Sequence, residues 1–307
     1  MDPRLAELLR LLELERLETD LFRGASRDVG APQVFGGQVL GQALRAAYAT
    51  VDGAHVAHSL HAYFLKRGDF NAPIVYFVDR SRDGQSFSNR RVTAIQHGEQ
   101  IFHMAASFQL PQSGVEHQLP MPQVPPPEAL ADDALPSARE LEAMPEKLRQ
   151  YFRRERPFEF RLIGAAGQET GAAPAPQAVA AAMVHQVWVR AVDRLPDDDA
   201  LHRCLLAYAS DFHLLRTATL PHAAQFLSGK HFMASIDHAM WFHWPIRVDD
   251  WFLYATDSPS ASGARGFSRG SIFSRDGRLL ASTAQEGLLR LTDGGIKKAL
   301  AIPAVRR

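Results

Sequence analysis

Leucines at positions 5, 8, 9, 12 and 17, separated by charged residues, recur with the helical period, so residues 5–18 are expected to form an amphipathic surface helix. A second helical run follows Gly36 and Gly37 and continues through Val39, Leu40, Ala43, Leu44, Ala46 and Ala47. Strand-like runs then occupy 58–65, 74–80, 85–96 and 100–110, with Gly-containing turns at 67–69, 82–84 and 97–99. Phe102, Met104, Ala106 and Phe108 alternate with polar neighbours, the period of a half-buried strand. From 111 to 177 the pattern lapses. Pro120, Pro122, Pro125, Pro126 and Pro127 predict an extended connection, followed by a charged helical segment at 137–154 and loose stretches at 164–167 and 171–176. The second half then repeats the first: a strand at 184–191, a helix at 195–212 and strands at 232–244, 251–258, 266–274 and 279–289.

The helix at 195–212 has clear start signals, with Asp197 as cap and Asp198 and Asp199 at the positive end of the dipole. From Cys204 it is nearly all apolar. A helix apolar all round is buried all round, and a curved sheet is the expected wrapper. Two copies of one domain, each rolling its sheet around a long helix, account for the repeat. His58 to Phe64 lies over Ser235 to Trp241, and Arg90 corresponds to Arg269. Asp211 ends the buried helix, where the negative dipole end and a dry neighbourhood both oppose its ionised form. That environment suits a general base; an exposed aspartate capping the next turn is the plainer alternative.

Composition narrows the functions. At 307 residues and 46% hydrophobic the chain can bury two ordinary cores, and Lys+Arg and Asp+Glu balance at 34 each. No global field favours nucleic acid or an anionic membrane. The single cysteine, Cys204, excludes an intrachain disulfide framework and a Cys-rich zinc site. No signal-peptide form, membrane-length apolar run or terminal peroxisomal address is present, so a cytoplasmic protein without membrane insertion is expected.

The Gly36–Gly37 pair places backbone N–H groups at a helix N-terminus, able to hold an oxyanion or simply to let the helix pack closely. It matches neither a phosphate loop nor the dinucleotide fingerprint. Without a Gly-x-Ser-x-Gly elbow, a serine nucleophile of the α/β-hydrolase kind is not indicated. His238 and His243, near Asp237, point to opposite faces of one strand, so no common metal is expected. Trp241, Phe242, Trp244 and Trp251 suit a core or an apolar pocket. Lys66, Arg67, Arg90, Arg91, Arg265 and Arg269 suit phosphate contacts or surface ion pairs equally.

Longer motifs carry a resemblance. Phe35-Gly36-Gly37-Gln38, His58-Ser59-Leu60-His61-Ala62-Tyr63-Phe64-Leu65, Ala207-Tyr208-Ala209-Ser210-Asp211, Ile236-Asp237-His238-Ala239-Met240-Trp241-Phe242-His243 and Ser262-Gly263-Ala264-Arg265-Gly266-Phe267 resemble the type II acyl-CoA thioesterases of bacteria and their peroxisomal relatives, over residues 5–292. The resemblance implies an α+β double hotdog fold. Its N-terminal hotdog domain would occupy 1–115, a Pro-rich and partly helical linker 116–177, a catalytic C-terminal hotdog domain 178–295 and a tail 296–307. It implies hydrolysis of fatty acyl-CoA by a water on which Asp211, Ser235 and Gln285 act together, with no cofactor, no metal and a homodimer or homotetramer as the assembly. Position 235 is Ser where a bacterial member of the family carries Thr, which keeps the hydroxyl on a freer rotor. Gly36, Gly37 and His58 are the candidates for substrate or oxyanion contact. A non-hydrolytic acyl-CoA binding or sensing protein is the alternative, and the polar trio argues against it, because a pure binder has no need of a buried carboxylate. His213 beside Asp211 is the only hint of a hydratase.

Overall fold

The computed structural model describes residues 1–29, 33–130, 142, 156–163, 184–222, 225–226 and 231–291. The helical segment expected at 137–154 and the loose stretches at 164–167 and 171–176 lie outside the described residues, apart from Glu142. In the N-terminal half, α1 (Pro3–Leu12), β1 (Glu15–Glu18) and β2 (Leu21–Gly24) precede α2 (Gly36–Tyr48), β3 (Val56–Phe64), β4 (Ile74–Asp83), β5 (Phe87–Gln96) and β6 (Glu99–Gln109). The C-terminal half holds β7 (Phe158–Ile163), β8 (Val184–Ala191), α3 (Asp199–Ser210), the short α4 (Leu214–Thr217), β9 (His231–Ser235), β10 (Asp237–Phe242), β11 (Phe252–Ser262), β12 (Arg265–Ser274) and β13 (Leu279–Leu291).

One 13-stranded sheet runs β1-β2-β4-β5-β6-β3-β10-β13-β12-β11-β8-β7, with β9 alongside β13. Every pairing among the described strands is antiparallel. The halves meet where β3 pairs with β10, Ser59 opposite Trp241 and Tyr63 opposite Asp237. Outward from that seam the order is β3-β6-β5-β4 on one side and β10-β13-β12-β11 on the other, the same meander twice.

The sheet's inner face wraps α2 and α3, which run antiparallel and almost in backbone contact. A Cβ on Gly37 would collide with the carbonyl oxygen of Tyr208, and one on Gly41 would come within 3.1 Å of that of Cys204. Small residues on α2 therefore set the approach. On α3, His202 through Ser210 are all buried, the consequence of an apolar helix closed in by a sheet. No helix among the described residues is long and apolar enough to cross a membrane.

Four details depart from the sequence expectations. The first helix stops at Leu12, because Glu13 turns extended and Glu15–Glu18 pairs with β2. The cap of α3 is Asp198, whose Oδ1 accepts from Leu201 N at 3.1 Å, while Asp197 is solvent-exposed and paired with Arg247. The strand expected over 232–244 breaks at Ile236 into β9 and β10, both on β13. Phe158–Ile163, inside the expected linker, forms the outermost strand of the second half on β8. The Pro-rich stretch is bound to that half as well: Trp188 Nε1 donates to Pro125 O (2.9 Å) and Gln118 Nε2 to Gly277 O (2.8 Å). Met121 and Val124 cover a small cluster of Trp188, Trp251, Leu253 and Phe273, which makes Trp251 a core residue.

Candidate active site

Asp211 follows the last turn of α3 as its C-terminal cap, at the point where the N-terminus of α2 comes closest. Its side chain is 7% exposed. Oδ2 accepts from the backbone N–H of Gly37 at 2.9 Å and Oδ1 from Gln285 Nε2 at 2.8 Å. The carboxylate thus lies between the negative end of one helix and the positive end of another. Burial raises its pKa above the usual aspartate value, opposed by the Gln285 and Gly37 hydrogen bonds. Two accepted bonds leave each oxygen a free lone pair, so the group can still take a proton.

Gln285, on β13, is fully buried. Its Nε2 hydrogens go to Asp211 and to His238 Nδ1 (3.1 Å), and its Oε1 is buried without a partner among the described residues. Opposite it on β12 stands Ser268, whose hydroxyl is likewise buried and unpartnered. Ser235, the last residue of β9, has no side-chain partner among the described residues. It lines a small cavity of about 60 Å³ together with Gly36, Val39, Phe64 and Phe102. The Asp211 carboxylate backs onto the same wall, since a Cβ on Gly36 would come within 2.8 Å of Oδ2 and 3.0 Å of the Phe64 ring. Asp211, Gln285, Gly36, Gly37 and Ser235 are therefore neighbours. Larger cavities of about 730 and 540 Å³ lie elsewhere, one near Tyr48 and Asp199 at the far ends of the two helices, the other near Arg247 and Trp251.

Two expectations change. Gly37 N–H is committed to Asp211, so it holds the carboxylate where the sequence suggested an oxyanion donor. The N–H of Gly36, first residue of α2, has no acceptor among the described residues. His58 is not in this cluster. Its Nε2 lies 2.8 Å from Ser107 Oγ and its ring meets Phe87 edge-on, six residues before Phe64 on β3, roughly 20 Å along the strand.

Arg90 is buried, with Nε on Thr50 Oγ1 and Nη2 on Thr50 O, both at 2.9 Å, which removes it as a phosphate contact. Arg269 pairs with Asp257, Arg265 with Glu286 and Lys66 with Glu99. His213, in the left-handed backbone region with φ 66°, stacks its ring on His185. The sequence reading missed His238 as a partner of Gln285. It weighed this histidine only as a metal ligand; its inward place on the strand beside Gln285 was the available signal. Among the described residues no group of three or more His, Cys, Asp or Glu is placed to hold a metal.

Comparison with known proteins puts these features in context. Residues 174–288 match the family model "Acyl-CoA thioesterase" and residues 25–109 match "Acyl-CoA thioesterase N-terminal domain". The chain is 43% identical over 294 residues to acyl-CoA thioesterase 2 of Haemophilus influenzae, covering 95% of this chain and 100% of that one. It is 41% identical over 298 residues to human acyl-coenzyme A thioesterase 8, covering 94% and 91%. The crystal structure of acyl-CoA thioesterase II TesB2 from Mycobacterium marinum superposes with a TM-score of 0.76 at 42% identity, covering 94% and 100%. A hotdog-fold protein from Alicyclobacillus acidocaldarius aligns with a TM-score of 0.72 at 20% identity, covering 92% and 98%, which supports the hotdog architecture alone.

Proposed function

The chain belongs to the acyl-CoA thioesterase family, and on that premise we propose that it hydrolyses fatty acyl-CoA to free fatty acid and CoA with Asp211 as the base. The observation that carries the proposal is the Asp211 carboxylate: buried, raised in pKa, held at both oxygens and set against the wall of the cavity that Ser235 lines. A raised carboxylate is a stronger base, and a positioned base contributes about 10²–10⁴-fold to a proton transfer.

In this reading a water gives one proton to Asp211 while its oxygen attacks the thioester carbonyl carbon. Gln285 Oε1, an acceptor without a partner among the described residues, takes the hydrogen bond from the water's second proton, and the Ser235 hydroxyl steadies it from the cavity side. The tetrahedral oxyanion collapses by breaking the carbon–sulfur bond. The proton on Asp211 passes to the departing thiolate, leaving fatty acid and CoA without a covalent enzyme intermediate. The Gly36 N–H, at the positive end of α2, is the available backbone donor for the oxyanion. The division of the chain that suits this reading is an N-terminal hotdog unit over 1–115 and a catalytic one over 178–295, the latter extended by Phe158–Ile163.

Thiol release from a series of acyl-CoAs tests the proposal. Asp211→Asn, near-isosteric and uncharged, should fold, bind acyl-CoA and lose about 10²-fold or more in kcat. Wild-type turnover in that variant would exclude Asp211 as the base, and tight binding without turnover in the native protein would favour a sensor.

A further inference from the structure

The hydrogen bonds behind Gln285 have one consistent direction. The Ser210 hydroxyl donates to Ala207 O at 3.0 Å, so its oxygen must accept from His238 Nε2, also at 3.0 Å. Nδ1 of His238 is then the bare nitrogen, and it accepts from Gln285 Nε2 at 3.1 Å. The other hydrogen of Nε2 reaches Asp211. His238 is wholly buried and neutral, its pKa pushed down to about 3 by burial, so the 4.0 Å approach of Nδ1 to Asp211 Oδ1 is not an ion pair.

The fold does not demand this chain. Tyr76 on β4 opposes Ala94 on β5 as Tyr254 on β11 opposes Ile272 on β12, which aligns the two meanders. Four residues back, Arg90 opposes Ala106, which opposes Leu60 on β3. The matching rung in the second half is Ser268, Gln285 and His238, one residue off the expected alignment of His61 with His238 and of Arg90 with Arg269, which would set an exposed position over a buried one. The same inward position on the seam strand is thus filled by Leu60 in one half and His238 in the other, both buried.

We propose that His238 is a positioning residue for the hydrolysis: as an acceptor at Nδ1 it fixes the carboxamide of Gln285 so that Nε2 faces Asp211 and Oε1 faces the water. This rests on the Asp211 reading above. An unanchored carboxamide can flip, which turns Oε1 against the carboxylate and removes the water's acceptor. A misdirected group near a reacting centre costs on the order of 10–100-fold.

The test is acyl-CoA thiol release by four variants. His238→Leu copies the residue that the other half tolerates, so it should fold and lower kcat about 10–100-fold with KM within about twofold. His238→Asn, with an oxygen near the place of Nδ1, should recover to within about fivefold of wild type. A folded His238→Leu with wild-type kcat, an effect confined to KM, or equal loss in Leu and Asn would each overturn the proposal. If the Leu variant does not fold, Ser210→Ala decides: it frees the imidazole tautomer and should lower kcat about 3–10-fold, and wild-type kcat would overturn the proposal. Asp211→Asn, assayed in parallel, separates the two readings. Lost turnover there with intact turnover in a folded His238→Leu removes only the His238 role, whereas full turnover in Asp211→Asn removes the base itself.

Discussion

In the N-terminal half α2 runs out through Tyr48, Ala49, Thr50 and Val51; in the C-terminal half α3 runs out through Tyr208, Ala209, Ser210 and Asp211. The frames around these ends are alike, and buried Tyr76 and Tyr254 each send a hydroxyl to the central helix of their half, Tyr76 to Gln42 Oε1 and Tyr254 to Ser210 O. What differs is the polar content. Val51, Leu60 and Ala106 in one half stand where Asp211, His238 and Gln285 stand in the other. Arg90, opposite Ala106, is saturated by Thr50, the carbonyls of Arg82 and Asn89, and Asp83. Gln285 keeps an acceptor open. A repeat that folds with apolar residues at these positions does not need polar ones for stability, and a saturated arginine in one half stands against a carboxamide whose Oε1 has no partner among the described residues in the other.

Writing the N-terminal residue into the C-terminal half should have the largest effect. Gln285→Ala should lower kcat about 10²–10³-fold with a melting temperature close to wild type, since Ala106 occupies the matching rung; thiol release and a thermal melt check both. Next is the helix approach. Gly37→Ala forces α2 from α3 at the Asp211 end and should cost about 3 kcal/mol along with activity, whereas Gly41→Ala, with 3.1 Å to the Cys204 carbonyl, should cost about 1 kcal/mol and leave kcat unchanged, as read from urea midpoints and turnover. Arg90→Leu should cost about 2 kcal/mol by orphaning buried carbonyls, with kcat within about twofold; equal loss of rate would show that the N-terminal rung also serves the reaction.

Two further predictions concern pH. Burial raises Asp211 above its ordinary 3.8, so the folded state holds that proton more tightly than the unfolded chain, and between the two values stability falls as pH rises. Asp211→Asn should therefore be more stable than wild type at pH 7, the gap closing as pH falls towards about 4. His238 acts with opposite sign. Its pKa is about 3 when folded against 6.5 when unfolded, so its contribution is present above 6.5 and lost as pH falls towards 3. His238→Leu should flatten the urea midpoint between pH 6.5 and 4.

Residue order alone carried the repeat, the two long helices, most strands and the candidacy of Asp211, because periodicity and apolar runs are local properties that burial acts on directly. The candidate trio of Asp211, Ser235 and Gln285 could be put forward only from long motifs resembling a family, since nothing local joins residues so far apart in the chain. Tertiary structure decided the rest. The direction in which Gly37 N–H points follows from how closely α2 meets α3. Whether Phe158–Ile163 joins the sheet depends on a free edge at β8. Which histidine faces Gln285 depends on a one-residue break at Ile236 that alters the register of β9 and β10 on β13. Each is a contact between segments distant in sequence, and hydrogen-bond geometry at about 3 Å is set only once those segments are packed.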